Sequence, residues 1–304
     1  MIIDMDKKIL IIYHRVDYDG LCSMSIAKSA LNHEGVYIET FGFNYGDVIP
    51  DIDELISSQD QIYLVDISFP TADMLKLANS GKAVWIDHHI TQITESQECG
   101  YSEMPGVRVN GTAACELCWS FFYPDQDVPL GVLYMSHYDT WRHDIYSWDD
   151  VILPYQYGLR AEYSLNAQKF YSNFESILRD VDKIMIEGNG VLKYLKNTWK
   201  GCVKGYAFDV LVAGKYKGIC MLTNTFGSSQ FDSVKDQYDC YICVNRKEPN
   251  LYNFSIYTND NCDFNAGEFM KSYYGGGGHK SAAGGKLSLE QFTRLIHDCV
   301  VDGS

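Results

Sequence analysis

No stretch of this 304-residue chain is apolar for long enough to span a bilayer, and basic residues are few. Only 25 Lys and Arg stand against 40 Asp and Glu, a formal net charge of −15. The first absence excludes a transmembrane helix, which needs about 20 consecutive apolar residues. The second disfavours a grip on long DNA or RNA, which depends on a basic surface that displaces counterions. Short anionic substrates stay open, because acids gathered in one cleft can hold cations. Two divalent ions would bring −15 to −11 and make that cleft attractive to phosphate. Also missing is a glycine-rich fingerprint at the first strand–helix turn, which offers acids and one glycine instead. That disfavours a dinucleotide-cofactor oxidoreductase. Acids within Met1-Ile2-Ile3-Asp4-Met5-Asp6-Lys7-Lys8 interrupt what a signal peptide would need, so a cytoplasmic location is expected.

What is present describes an ordinary globular protein, 46% hydrophobic and 21% charged, long enough for two domains. Ten cysteines include Cys115-x-x-Cys118 and Cys240-x-x-Cys243. The second pair lies in a strand pattern, where residues three apart face opposite sides, and the first in a packed helix. Small, reduced core residues are therefore expected rather than zinc ligands or disulfides.

Ala83-Val84-Trp85-Ile86 reads as a buried strand that ends in Asp87-His88-His89. Strand ends are where open α/β sheets place their chemistry. Lys8–Tyr13 is an earlier strand, running into His14-Arg15-Val16-Asp17-Tyr18-Asp19-Gly20 and a helix from about Leu21 to Asn32. Two acids at i and i+2 can share a cleft, and Gly20 is expected to let the backbone turn sharply. Val36–Phe41 and Gln61–Val65 are further strands, the latter ending in Asp66. Pro70 and Thr71 open a helix that Gly81 closes. Strands alternating with helices, with acids at their ends, predict an α/β fold: a mostly parallel amino-terminal sheet flanked by helices.

Helices are expected over Gly111–Tyr123 and from Pro129 to about Asp139. Asp139-Thr140-Trp141-Arg142-His143-Asp144 then reads either as a surface turn with one buried Trp or as a further ligand with groups for a base or phosphate. Residues 150–204 read as largely helical, and a smaller α/β domain follows from about Gly205. The expected division is 1–188, a helical connection or hinge at 189–204 near Gly188, Gly190 and Gly201, and 205–304. Strands are predicted at 207–212, 218–222, 238–244 and 251–258, with helices at 265–272 and 288–300. Before the last helix, Gly275-Gly276-Gly277-Gly278-His279-Lys280 could present consecutive backbone N–H groups to an anion.

His14-x-x-Asp17-x-Asp19-Gly20, Asp66, Asp87-His88-His89 and Asp139 together resemble the four ordered motifs of the DHH phosphoesterases. Gly275–His279 with Ala282-Ala283-Gly284 resembles the substrate-binding motif of the carboxy-terminal domain associated with that family. The resemblance spans nearly the whole chain, and Tyr138-Asp139-Thr140-Trp141 looks most like the oligoribonuclease (nanoRNase) branch.

It implies two divalent cations, usually Mn2+ with Mg2+ or Co2+ as alternatives. By position, His14, Asp17 and Asp66 would hold one, and Asp19, Asp66, His88 and Asp139 the other. Asp87 would orient a ligand-shell group, His89 would contact the scissile phosphate, and His279 and the glycines would close over it. Arg142 and His143 are further substrate-binding candidates. Two departures from the family stand out: the His14–Asp17 spacing is one residue shorter than in many members, and Tyr257 replaces an arginine many relatives carry. The implied activity is manganese-dependent hydrolysis of short oligonucleotides or dinucleotides to mononucleotides. Phosphodiesterase action on cyclic or linear dinucleotides comes second and a 3′,5′-bisphosphonucleotide phosphatase third. A nucleotide-binding module without catalysis is the competing class. Neither long duplex nucleic acid nor membrane is an expected partner, and a homodimer is the one assembly considered.

Overall fold

The computed structural model describes residues 7–224, 227–259 and 261–302. The chain divides into two compact units, Met1–Leu192 and Lys193–Ser304.

The first unit is built on β1 (Lys7–His14), α1 (Tyr18–Leu31), β2 (Val36–Phe43), α2 (Ile52–Ser58), β3 (Gln61–Val65), α3 (Thr71–Ser80), β4 (Ala83–Ile86) and α4 (Ile90–Cys99). The strands form a parallel sheet in the order β2-β1-β3-β4. Parallel strands buried on both faces carry unbroken apolar runs, and alternate side chains must then enter different cores. They do. Ile9 and Ile11 of β1, Tyr63 and Val65 of β3, and Val84 and Ile86 of β4 enter one cluster. Leu10, Ile12, Ile62, Leu64, Ala83 and Trp85 enter the other.

Helices α5 (Ala114–Phe122), α6 (Leu130–Asp139), α7 (Leu153–Tyr163), α8 (Ala167–Ser172) and α9 (Phe174–Arg179) follow, with a π-helical turn at Trp148–Ile152. Cys115 and Cys118 are buried in α5. Then α10 (Val181–Tyr206) runs unbroken through residues 189–204. Among the described residues, no helix is long and apolar enough to cross a membrane. Helices α2 and α4 have no counterpart in the sequence reading. The reason is visible in α4, whose polar and β-branched sequence buries only Ser96.

The second unit contains β5 (Phe208–Val212), β6 (Tyr216–Leu222), β7 (Cys240–Glu248), β8 (Leu251–Thr258), α11 (Ala266–Tyr273), β9 (Gly277–Gly278), β10 (Ala282–Ser288), α12 (Leu289–Asp298) and β11 (Val300–Val301). Its mixed sheet runs β11-β5-β6-β7-β8-β10-β9. Cys240 packs into one cluster and Cys243 into the other, on opposite faces of β7. The run Ala282-Ala283-Gly284-Gly285, where no strand is predicted, is a strand paired with both β8 and β9.

Candidate metal centre

In the sheet register Tyr13 lies beside Val65, and Val65 beside Ile86, so the residues after β1, β3 and β4 emerge together at one edge. His14 is the last residue of β1. Its Nε2–H donates to Asn44 Oδ1 at 3.1 Å, the tautomer that leaves Nδ1 facing Asp17 and, at 3.5 Å, Asp66 Oδ2. Asn44 thus orients His14 as the outer partner of a metal-binding imidazole does. Asp17 caps α1, its Oδ1 accepting from the Gly20 N–H at 2.9 Å, while Oδ2 faces His14.

Gly20 does not make the expected sharp turn. It lies within α1, and a Cβ there would stand 1.9 Å from the His14 carbonyl oxygen. Glycine is required because the first turn of α1 rides directly on the end of β1. That contact brings Asp19 inward, where it is 2% exposed. Its carboxylate accepts from the backbone N–H groups of Ala114 (2.9 Å) and Cys115 (2.6 Å) at the start of α5. A helix amino terminus is a favourable place for a buried anion.

Asp66 follows β3 with φ +60°, a left-handed conformation that is uncommon for a residue with a Cβ. It is 1% exposed, and neither carboxylate oxygen receives a hydrogen bond of good geometry. Each faces an imidazole nitrogen instead: Oδ2 faces His14, and Oδ1 lies 3.4 Å from His88 Nε2. His88 Nε2 also lies 3.5 Å from Asp19 Oδ2 and 3.3 Å from Asp139 Oδ2, the last residue of α6, and likewise has no hydrogen-bond partner.

Asp87 behaves differently. Its Oδ1 accepts from the backbone N–H of His88 (2.7 Å) and from His89 Nδ1–H (2.7 Å), and its Oδ2 accepts from Trp85 Nε1–H (3.1 Å). It is a satisfied carboxylate that fixes the His89 ring.

These atoms form three groups whose potential ligand atoms lie within 4.8 Å of one another. They are His14, Asp17 and Asp66; Asp19, His88 and Asp139; and Asp66, Asp87, His88 and His89. Atoms about 2.1 Å from a common tetrahedral centre stand roughly 3.4 Å apart, close to the spacings around Asp66 and His88. Buried acceptors without donors, at ligand-to-ligand distances, fit divalent cations.

Electrostatics agree with that fit. Burial and the Asp66 charge raise Asp19 to about 8, and burial and Asp19 raise Asp139 to about 7. Burial raises Asp66 well above the carboxylate range, against the lowering effect of His14. At His14, burial lowers the basicity but Asp17 and Asp66 outweigh it, raising the ring to about 11. At His89 burial likewise lowers the basicity, but Asp87 outweighs it, raising the ring to about 9. At Asp87 burial raises the carboxyl, but the hydrogen bonds from His89 and His88 together with the His89 charge outweigh it and leave Asp87 lowered. So many carboxylates confined together call for positive charge.

The remaining candidates are placed as follows. Arg142 donates to Glu116 Oε2 and Ser136 Oγ, both at 2.6 Å, so its guanidinium is already engaged by a carboxylate. His143 is exposed and stacks on Trp148 at 4.2 Å. Trp141 is 65% exposed at φ +53°, not the buried Trp of a surface turn. In the second unit, His279 is exposed and its N–H donates to the Ala282 carbonyl. The Gly276 N–H is likewise taken by the Met270 carbonyl, so the run does not offer an uninterrupted row of free donors. A Cβ at Gly276 would meet the Gly284 carbonyl oxygen at 1.9 Å, a packing reason for that glycine. Gly275, at φ +59°, and Gly277 have open space where a Cβ would stand. Asn44 escaped the sequence reading altogether, having no signal beyond lying just after a strand.

Residues 8–136, which lie in the first unit, match the family described as DHH family, N-terminal domain. No curated protein matches the chain's sequence. Among solved structures, it is similar to a DHH domain described as that of a member of a family of ribosomal proteins (14% identity, 97% of this chain and 86% of that one, TM-score 0.63). It is also similar to the pGpG-specific phosphodiesterase PggH from Vibrio cholerae (13% identity, 96% and 97% covered, TM-score 0.53). A third is the exonuclease RecJ bound to manganese (14% identity, 96% and 88% covered, TM-score 0.50). At these identities the likeness is one of fold.

Proposed function

We propose that the protein is a metal-dependent phosphoesterase acting as a phosphodiesterase on short oligonucleotides, dinucleotides above all, with manganese as the working ion. The observation that carries this reading is Asp66, a buried carboxylate with no hydrogen-bond donor, set between the His14–Asp17 pair and the Asp19–His88–Asp139 set. His14, Asp17 and Asp66 would hold one cation; Asp66, Asp19, His88 and Asp139 would hold the other. Mixed imidazole and carboxylate donors suit manganese better than magnesium.

Divalent cations held by these residues would lower the pKa of a bound water and neutralise phosphoryl charge. The chain's own part is positioning. Asp87 holds His89 Nδ1–H, so His89 Nε2 is left to face a phosphoryl oxygen. The α5 amino terminus keeps Asp19 in place. The exposed rings of Trp141 and His143 offer faces on which a base could stack. His279 and Gly275–Gly278 are proposed to contact substrate phosphate.

A second reading, hydrolysis of linear or cyclic dinucleotides specifically, is favoured by the likeness to PggH, which is named for pGpG. A bisphosphonucleotide phosphatase ranks third. The deciding assay incubates the chain and manganese with a labelled RNA dinucleotide, a cyclic dinucleotide and a longer RNA. Mononucleotides from the dinucleotide alone establish the first reading; cleavage of the cyclic compound promotes the second. No turnover of any of them removes both.

A further inference from the structure

The loop after β2, Asn44-Tyr45-Gly46-Asp47, is tied down at both ends. The Arg15 guanidinium grips Asp47 through two nitrogens, Nε to Oδ2 at 3.2 Å and Nη2 to Oδ1 at 2.9 Å, the fork that arginine offers a carboxylate. Asp47 Oδ2 also accepts from the Asn44 N–H at 2.9 Å, and the Asp47 N–H returns to the Asn44 carbonyl at 3.0 Å. Gly46, at φ +95°, lets the chain close this turn. Arg15 directly follows His14, so the loop is fastened to the end of β1 that carries the first imidazole of the metal centre. A partly exposed ion pair adds little stability, so the effect of this one is to fix direction.

Two neighbouring side chains are aimed at the centre as a result. Asn44 meets His14, and Tyr45 reaches from His14 to His89, its ring centre 5.8 Å from the first imidazole and 6.2 Å from the second. The Tyr45 hydroxyl lies 3.5 Å from the Oγ of Ser68, a buried residue two positions after Asp66. At that distance the contact is too loose to commit the phenol proton. A tyrosine placed for packing alone would bury its ring, yet Tyr45 is 45% exposed beside two histidines of the site. A phenol carries its proton at neutral pH and can donate it to an anion without bringing charge of its own.

We infer that the Tyr45 hydroxyl is a second hydrogen-bond donor to the reacting phosphate, beside His89, and that Arg15 and Asp47 are its positioning residues. The inference rests on the phosphoesterase reading and adds to it a residue from outside the acid- and histidine-bearing motifs. A donor fixed in advance where phosphoryl charge builds costs no reordering at the moment of reaction, which is what the clamp on this loop secures.

The test compares the wild-type chain with Tyr45→Phe and Asp47→Ala. Steady-state hydrolysis of the RNA dinucleotide is measured in manganese, together with manganese content, thermal stability and calorimetric binding of orthovanadate, a mimic of the phosphoryl group in transition. Tyr45→Phe keeps the ring between the two histidines, so manganese content, melting temperature and KM should stay at the wild-type values. Its kcat should fall about 10²-fold, and its orthovanadate affinity about tenfold or more. Asp47→Ala keeps the phenol but frees the loop, and should lie between the other two in kcat and in orthovanadate affinity. Wild-type kcat and orthovanadate affinity in Tyr45→Phe overturn the inference. Loss of manganese from Tyr45→Phe overturns it too, since Tyr45 would then serve only to support His14. The two readings separate cleanly. A wild-type chain that hydrolyses no dinucleotide, yet loses orthovanadate affinity in Tyr45→Phe, removes the phosphoesterase and keeps the donor; turnover indifferent to Tyr45→Phe does the reverse.

Discussion

Asp66 carries two costs that its carboxylate alone does not explain. Its left-handed backbone costs on the order of 1 kcal/mol for a residue with a Cβ, and its buried oxygens lack donors. Cations held at Asp66 would offset both, so substitutions should separate stability from function. Asp66→Gly in EDTA should melt above the wild-type chain, because glycine accepts the backbone freely and removes a crowded acid. With manganese the order should reverse, and elemental analysis of Asp66→Ala should show fewer than one ion per chain. Normal metal content in that variant would sink the shared-ligand role. His89 makes the contrast, since Asp87 and not a cation holds its Nδ1. His89→Gln should keep its manganese while kcat falls by about 10²–10³, the size expected when one donor to a reacting oxygen is removed. Loss of metal and activity together in His89→Gln would make His89 a ligand instead.

At the scale of elements, the join between β1 and α1 is the sensitive point. Gly20→Ala must push a Cβ out of a 1.9 Å contact with the His14 carbonyl, and overpacking of this kind costs about 1–3 kcal/mol or more. It should also shift Asp19 off the α5 amino terminus and weaken manganese binding. Gly190 is the internal comparison, a glycine of α10 with open space where a Cβ would stand. Gly190→Ala should stabilise by about 0.4–1 kcal/mol through helix propensity and unfolded-chain entropy. Urea titration of the pair checks both signs. The same elements mark what the sequence could disclose. Strands β1, β3 and β4 are legible because burial on both faces demands continuous apolar runs, and their terminal acids and imidazoles are visible at once. The role of Gly20 is not legible, since a tight helix–strand contact between neighbours in sequence leaves the same single letter as a turn. β10 hides behind Ala282-Ala283-Gly284-Gly285, whose missing side chains mark close backbone approach rather than flexibility. Asn44 stands singly in the chain, and only folding brings it beside His14. Arg142, by contrast, stands out in the sequence, yet Glu116 has taken its guanidinium.

For the whole molecule, the acid cluster ties stability to both pH and metal. Asp19, at about 8 in the folded chain, and Asp139, at about 7, hold protons that the unfolded chain has released by about pH 4. Between those limits the folded state binds more protons, so the metal-free chain loses stability as pH rises from about 4 to 8. His14 and His89 act in the same direction at higher pH. Their folded values, about 11 and about 9, lie above the ordinary imidazole, so their contribution is whole below about pH 6.5 and is lost on the way up. Asp87 is lowered and opposes the trend only under acid, where its contribution disappears as pH falls through its folded value. Cation binding inverts the picture, since each ligand must first give up its proton, so affinity rises over the same interval in which the empty cluster weakens the fold. Thermal melts from pH 5 to 8 should therefore show the melting temperature falling in EDTA and the increment from manganese growing steadily. A melting temperature in EDTA that climbs across that range would mean that the carboxylates are not crowded in solution, and the case for paired cations at Asp66 would fall with it.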